Sequence, residues 1–536
     1  MIAATTPLSI QTPKPFDTLS SSASTLSPSL TLAELKARYQ AAGQSHLLTY
    51  YDTLTPKEQA ALLSQLSSLN VERVNRIHTR ATTCPSPLLE NQSVFLAPLP
   101  EECFDSMLEA APERIQEWET LGLKQIAQNK VGVILLAGGQ GTRLGSSAPK
   151  GCYDIHLPST KSLFQIQAER IRRLQVLAEE YQQQQQPPQG QQQQGQEVVI
   201  PWYVMTSGPT REATVQFFEE NLYFGLDRAN VVFFEQGTLP CLTFDGKIMM
   251  ESKSQIAVAP DGNGGVYAAL RETGVLADMA SRKVEYLHAY CVDNCLVRVA
   301  DPVFIGYCVQ KNADCGAKVV RKKSWDEPVG VVCLRNSAFN VVEYSEIDEE
   351  VAQRRNDRNG QLAFGAGNIA NHFYTLDFLN KVASESFEGG LEYHIARKKI
   401  KCIDFSTGEV AAPLKVNGMK LEMFVFDVFP FTKRMAVFEV DRLDEFSPLK
   451  NAPGSGQDCP ETSRRDILQQ HVRFIENAGG EVVVGETDEP LEGAPTLEIS
   501  PLVTYSGEGL NAIVAGKTIK TPVTIASLED LKRVVY

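Results

Sequence analysis

Leu135-Leu136-Ala137-Gly138-Gly139-Gln140-Gly141-Thr142-Arg143-Leu144-Gly145 carries an apolar run, Val131–Ala137, into four glycines, and Pro149-Lys150-Gly151 follows shortly after. Beyond it a helix-like segment holds Leu163, Ile166 and Ile171. A strand ending in glycines lets backbone N–H groups approach phosphate oxygens closely, because no Cβ stands between them. Arg143 and Lys150 add cations that neutral dinucleotide-binding loops generally lack. The spacing of a Walker A loop is absent. A dinucleotide site would need an acid ending the second strand, and that strand ends Val204-Met205-Thr206-Ser207 instead.

Working outward, Val198–Met205, Val231–Phe234 and Tyr286–Val292 are further apolar runs, with helix-like segments between the first two. Strands alternating with helices predict an α/β fold with a mainly parallel, doubly wound sheet. Ligands bind such sheets at the carboxyl ends of the strands. A central Rossmann-like domain is expected over 121–450 and a helical region over 31–120. Thr31 with Glu34, and Thr55-Pro56-Lys57-Glu58, read as helix starts, and Leu62, Leu63, Leu66, Leu69 and Ile77 recur at helical spacing. Residues 1–30, rich in Ser, Thr and Pro, read as a disordered tail, and Gln182–Gln196, Gln with only Pro and Gly admixed, as a disordered insertion. Short alternating segments beyond Val482 predict a small β-rich C-terminal domain over 451–536.

The chain has 536 residues, 43% hydrophobic and 22% charged, enough for two or three domains at roughly 100–200 residues each. With 51 Lys and Arg against 65 Asp and Glu, the net charge of -14 argues against a nucleic-acid binder but permits a small polyphosphate held by local cations. No apolar run approaches the roughly 20 residues of a membrane span, and Met1–Leu30 lacks a signal-peptide pattern. The eleven cysteines are odd in number, with Cys291, Cys308 and Cys333 inside apolar runs, which favours buried reduced thiols and a cytoplasmic location. Cys291 and Cys295 lack a second Cys/His pair at zinc-like spacing.

Further blocks sharpen the pattern. They are Met205-Thr206-Ser207-Gly208, Phe234-Glu235-Gln236-Gly237, Ala259-Pro260-Asp261-Gly262-Asn263-Gly264-Gly265 and Tyr290-Cys291-Val292-Asp293-Asn294. Glu327-Pro328-Val329-Gly330, Gly367-Asn368-Ile369-Ala370-Asn371-His372 and Phe446-Ser447-Pro448-Leu449-Lys450-Asn451 follow in order. From about Leu121 to Gly480 the chain resembles the eukaryotic UDP-N-acetylglucosamine pyrophosphorylases of the UDP-sugar pyrophosphorylase family. The resemblance implies a nucleotide-diphospho-sugar transferase fold with a mixed sheet. It further implies a uridylyltransferase making UDP-N-acetylglucosamine and pyrophosphate from UTP and N-acetylglucosamine 1-phosphate, as a monomer or weak homo-oligomer. The first 30 residues lie outside it, and the Gln-rich insertion departs from it.

Residue by residue, Ala137, Gly138, Gly139, Gly141 and Thr142 are expected on the triphosphate, with Arg143 and Lys150 on the charge that develops as pyrophosphate leaves. Gln236 offers the donor and acceptor that uracil requires, and the resemblance puts Gly262 and Asn263 beside it. Asp293 ends a strand, where a carboxylate can meet Mg²⁺, for which Mn²⁺ can stand in. Asp427, after Phe424-Val425-Phe426, is either a second metal-facing carboxylate or a structural one. The resemblance places Gly330, Glu343 and Asn368 around the sugar, and Lys420 and Lys450 on phosphate. His372 reads as structural, because phosphoryl transfer needs positioning and charge neutralisation more than an acid or base. The competing functions are a UDP-glucose or broad UDP-sugar pyrophosphorylase, a glycosyltransferase and a non-catalytic nucleotide-sugar sensor.

Overall fold

The computed structural model describes residues 31–83, 95–185, 197–388 and 390–536. The backbone of its 11-stranded sheet is β1 (Phe104–Ser106), β2 (Val131–Leu136), β3 (Trp202–Thr206), β4 (Val231–Glu235), β5 (Tyr286–Cys291), β6 (Cys315–Arg321), β7 (Ala366–Thr375) and β8 (Met435–Val440). Their spatial order is β1-β8-β6-β7-β5-β2-β3-β4. Every neighbour pair is parallel except those of β7, which runs antiparallel to both β5 and β6. The expected doubly wound, mixed α/β sheet is therefore the observed one.

Both faces of the sheet are covered, which is why its strands read as unbroken apolar runs. Val131, Val133 and Leu135 of β2 face one core, while Ile134 and Leu136 face the other. Helix Pro112–Ala127 crosses helix Pro302–Gln310 so closely that a Cβ on Gly122 would lie 1.9 Å from the Pro302 carbonyl oxygen. At the same crossing Trp118 meets Tyr307 and Phe438 edge-on.

Three differences from the sequence reading have local causes. A boundary at 120 falls inside helix Pro112–Ala127, and β1 already belongs to the central sheet, so the separate helical region spans only Leu32–Thr83. Its three helices pack on β-structure formed by Leu239–Ile256, Ile403 and Leu421. The run starting at Val198 becomes strand only at Trp202, after Pro201, which has no N–H to give a ladder. Helix Leu163–Gln184 continues through Gln182, whose side-chain amide donates to the Ala127 carbonyl. Gln182–Gln184 therefore belong to a helix. Gln185 caps that helix, and the rest of the Gln-rich reading, 186–196, lies outside the described residues, as does the tail reading for 1–30. The C-terminal part holds two small parallel strand pairs, and also an 18-residue helix, Pro460–Asn477, hidden behind a Gly/Pro-rich stretch. Among the described residues, no helix is long and apolar enough to cross a membrane.

Beneath the carboxyl ends of the strands lies a buried ion cluster. Lys318 of β6 is 0% exposed and donates to both Asp301 and Glu445. Burying these charges is tolerable because the two carboxylates are offset by Lys318 and by Arg298, 3.8 Å from Glu445. Removing Lys318 leaves two desolvated carboxylates with only the looser Arg298 contact, so Lys318→Met is expected to cost about 3–5 kcal/mol of stability. Urea unfolding measures this, and a parent-like midpoint would contradict the account.

Candidate active site

The glycine loop is tied down by its own backbone. Ala137 N–H donates to the Met205 carbonyl at 2.9 Å, Gly141 N–H to Ala148 at 3.0 Å and Lys150 N–H to Gly139 at 3.2 Å. Ser207 Oγ donates to the Gly138 carbonyl at 2.7 Å, joining the ends of β2 and β3. Gly138 is needed for close approach: a Cβ there would fall 2.3 Å from Gln236 Oε1. Gln236 follows β4, is 8% exposed, and its N–H donates to the Thr206 carbonyl.

Opposite stands the Asp261–Gly265 turn. Gly262 has φ +89°, and a Cβ on it would meet the Met423 carbonyl oxygen at 2.3 Å. Asn263 Oδ1 accepts from Val425 N–H at 2.9 Å, fixing the turn against Met423–Val425. Between loop and turn opens a cleft of about 490 Å³. Gly138, Gly139, Thr142, Lys150, Gln236, Gly262, Asn263, Asp293 and Lys420 all line it, as do Ser207, Cys291 and Glu422. Ala137 and Gly141 are buried beneath the loop.

Lys150 crosses this cleft. Its Nζ lies 3.5 Å from Asp293 Oδ2 and donates to the Leu449 carbonyl at 3.1 Å. Leu449 N–H in turn donates to the Asp293 carbonyl at 2.8 Å. The Cys291 thiol beside them is pushed up to about 12 by burial and the Asp293 charge, against the pull of Lys450 and Lys150. It is a poor nucleophile there. Arg143 is exposed on the Thr142–Leu144 turn and does not line the cleft. Lys450 is exposed and lines an adjoining groove, yet its charge acts on both Cys291 and Glu343.

A second cavity, about 590 Å³, is lined by Glu343, His394, Phe424, Phe426 and Asp427. Segment Lys420–Asp427 forms a wall between the two: Lys420 and Glu422 face the cleft, Phe424 and Phe426 the cavity. Gly330, Glu343 and Asn368 are brought together at one edge. Asn368 N–H donates to the Gly330 carbonyl at 2.8 Å, and a Cβ on Gly330 would lie 3.2 Å from Glu343 Oε1. Burial and the Glu346 charge raise the Glu343 carboxyl, opposed by His394 and Lys450. Against β6, strand β7 carries a register shift between the partners of Lys318 and Val319 that skips Ile369 and Ala370. There Ala370 adopts φ 52°. Asn368 Oδ1 accepts from Ala370 N–H at 3.1 Å and sits 3.2 Å from His372 Nε2. The amide oxygen is thus taken up by the bulge, leaving the NH₂ group as donor. His372 is fully buried, and burial together with the His288 charge lowers its imidazole to about 3.

Asp427 requires a correction. One of its oxygens accepts from Phe424 N–H at 2.6 Å, and both lie 3.0–3.2 Å from His394 Nε2. It closes its own turn and binds a histidine, in the second cavity rather than the cleft, so the structural alternative is the observed one. For a divalent cation the cleft offers two carboxylates, Asp293 and Glu422. Among the described residues, no group of three or more His, Cys, Asp or Glu forms a cage. That donor set fits Mg²⁺, which one or two carboxylates hold together with substrate phosphates and water. Sequence reasoning missed Glu422 and His394. Alternation along Gly418–Glu422 would have placed Glu422 beside Lys420, while His394 carries no local signal.

A mixed, mainly parallel sheet with a glycine loop, a lysine and a carboxylate at its strand ends has the build of an α/β nucleotide-binding fold. The profile of the family described as "UTP--glucose-1-phosphate uridylyltransferase" matches residues 101–481, and the chain belongs to that family. It is 47% identical to a UDP-N-acetylhexosamine pyrophosphorylase-like protein 1 of Xenopus tropicalis, over 91% of this chain and 94% of that one. It is 44% identical to UDP-N-acetylglucosamine diphosphorylase 2 of Arabidopsis thaliana, over 94% and 95%. Among solved structures, the uridine diphosphate N-acetylglucosamine pyrophosphorylase of Trypanosoma brucei, in complex with inhibitor, superposes with a TM-score of 0.74 at 33% identity. That match covers 89% of this chain and 93% of that one.

The His394–Asp427 pair makes stability depend on pH. Burial alone would lower the imidazole, but the hydrogen bond and charge of Asp427, with Glu392 and Glu346, raise it above its ordinary 6.5. A raised folded-state value means the stabilisation is complete below 6.5 and fades as pH rises through the raised value. Asp427→Asn is therefore expected to lower the urea midpoint more at about pH 6 than at about pH 9. Equal losses at both would contradict the pairing.

Proposed function

We propose that this protein joins UTP to N-acetylglucosamine 1-phosphate, forming UDP-N-acetylglucosamine and pyrophosphate. The observation that carries the reading is one cleft holding the glycine loop, Lys150, Gln236, Asp293 and Lys420 together. The names of relatives covering more than nine-tenths of the chain support it. Ten cysteines, all free thiols among the described residues, accord with a cytoplasmic setting.

In this mechanism the backbone from Ala137 to Thr142 cradles the triphosphate while Gln236, Gly262 and Asn263 read uracil. An oxygen of the sugar phosphate attacks the α-phosphorus in line, forming a P–O bond as the bond to the β-phosphate bridge breaks. Pyrophosphate leaves on the opposite side. Two anions must meet, so Lys420 and Lys450 offset their repulsion, while Lys150, with Arg143 of the exposed turn after Thr142, holds the departing charge. Asp293 would hold Mg²⁺, or Mn²⁺ in its place, which supplies charge neutralisation on the phosphate oxygens. No covalent enzyme intermediate is required, and the one cysteine in the cleft keeps its proton. In this reading the sugar lies toward Gly330, Glu343 and Asn368, and the Asn368 NH₂ group, its oxygen being taken by Ala370 N–H, would donate to an acetamido carbonyl.

Lys150→Ala and Arg143→Ala are each expected to raise the barrier by about 2–4 kcal/mol, lowering turnover by roughly 30- to 1,000-fold with little effect on sugar-phosphate binding. Near-parental kcat in either folded variant would contradict its role. Measuring pyrophosphate release from UTP with a panel of sugar 1-phosphates tests the function itself. An N-acetylated sugar should be preferred over glucose by roughly ten- to a hundredfold in kcat/KM, since glucose leaves the amide donor unpaired at about 1–3 kcal/mol. Asn368→Ala should shrink that preference by harming the N-acetyl substrate while UTP affinity stays unchanged. A parent that favours glucose 1-phosphate would overturn the sugar assignment.

A further inference from the structure

Asp293 and Lys450 sit on segments about 150 residues apart in sequence, and one side chain holds those segments together. Asn294 follows Asp293 directly and is 4% exposed. Its Nδ2 donates to the Glu445 carbonyl at 2.7 Å, and its Oδ1 accepts from Ser447 N–H at 3.0 Å and Leu296 N–H at 3.3 Å. The backbone extends the seam: Cys295 N–H donates to the Ser447 carbonyl at 2.9 Å, and Leu449 N–H to Asp293 at 2.8 Å. Glu445 is anchored from below by Lys318, and Ser447 Oγ donates to Asp466 on helix Pro460–Asn477 at 2.8 Å. Arg298, 3.8 Å from Glu445, and Lys150, which reaches both Asp293 and the Leu449 carbonyl, add ionic ties, but the Asn294 seam carries the side-chain hydrogen bonds that fix register.

We propose that Asn294 is a positioning residue for the transfer: it sets the spacing between the Asp293 carboxylate and the Lys450 ammonium without touching either substrate. The inference rests on the uridylyltransferase reading of the cleft. A buried amide suits the task because it donates to one segment's carbonyl while accepting from that segment's N–H, which fixes register as well as distance. A hydrophobic residue at this position would satisfy neither.

Asn294→Ala and Asn294→Asp, in the full-length chain, test this. Asp fills the same volume and keeps both accepted bonds, but sets a carboxylate oxygen against the Glu445 carbonyl, so it opens the seam at that contact by repulsion without leaving a void. Both variants should lower kcat at least fivefold while KM for UTP and for the sugar phosphate stays within twofold. UTP affinity measured without divalent cation should also match the parent, because the glycine loop and Gln236 are untouched. Parental kcat in either variant overturns the proposal, and so does a rise in KM as large as the fall in kcat, which would mark general damage to the cleft. A parent that releases no pyrophosphate with any sugar 1-phosphate overturns the underlying reading instead, and is distinguishable because it precedes any variant.

Discussion

Lys150 reaching Asp293 and the Leu449 carbonyl is the contact on which the site depends. Three parts of the chain meet there: the glycine loop after β2, the end of β5 and the segment after β8. A lysine in a cleft has to be aimed, since its four-carbon stem permits many rotamers. Here a carbonyl and a carboxylate aim it, and neither neutralises it by a tight pair, because Nζ to Oδ2 is 3.5 Å. The ammonium stays available for a stronger anion. A phosphate entering the cleft replaces a loose contact rather than breaking a good one.

The same economy runs through the surroundings. A chain of net charge -14 has to bind a tetra-anionic nucleotide, so cations must converge locally. Lys150 and Lys420 line the cleft, and Lys450 acts on its edge. Cations that build the scaffold are instead held by buried partners, Lys318 by Asp301 and Glu445 and Arg170 by the Cys295 and Val297 carbonyls. The thin wall Lys420–Asp427 then separates a polar cleft from a second cavity, its first half facing the cleft and its second half the cavity.

Much of this was legible in the sequence because it is local. The capping boxes at Thr31 and Thr55 form as their spacing requires, and the apolar run into Gly138 becomes β2 and its loop. Asp293 stands at a strand end because position along a parallel strand is a one-dimensional property. What escaped is three-dimensional. Asp427 reads as a candidate ligand until His394, 33 residues earlier, is seen to bind it. Asn368 is assigned to the sugar by resemblance alone, and nothing in its motif shows that the bulge at Ile369 and Ala370 claims its oxygen. Helix Pro460–Asn477 was masked by the Gly- and Pro-rich turn before it, and its docking on the segment after β8 through Ser447 and Asp466 has no sequence signature at all.

The central claim is that the cleft transfers the uridylyl group directly between two bound phosphates, with no enzyme-bound intermediate. The stereochemical course at the α-phosphorus tests it most directly. UTP carrying a single sulfur at a chiral α-phosphorus is turned over with N-acetylglucosamine 1-phosphate, and the configuration of the product is read by phosphorus NMR. One in-line displacement predicts inversion. Retention would require two displacements through a covalent intermediate and would contradict the account.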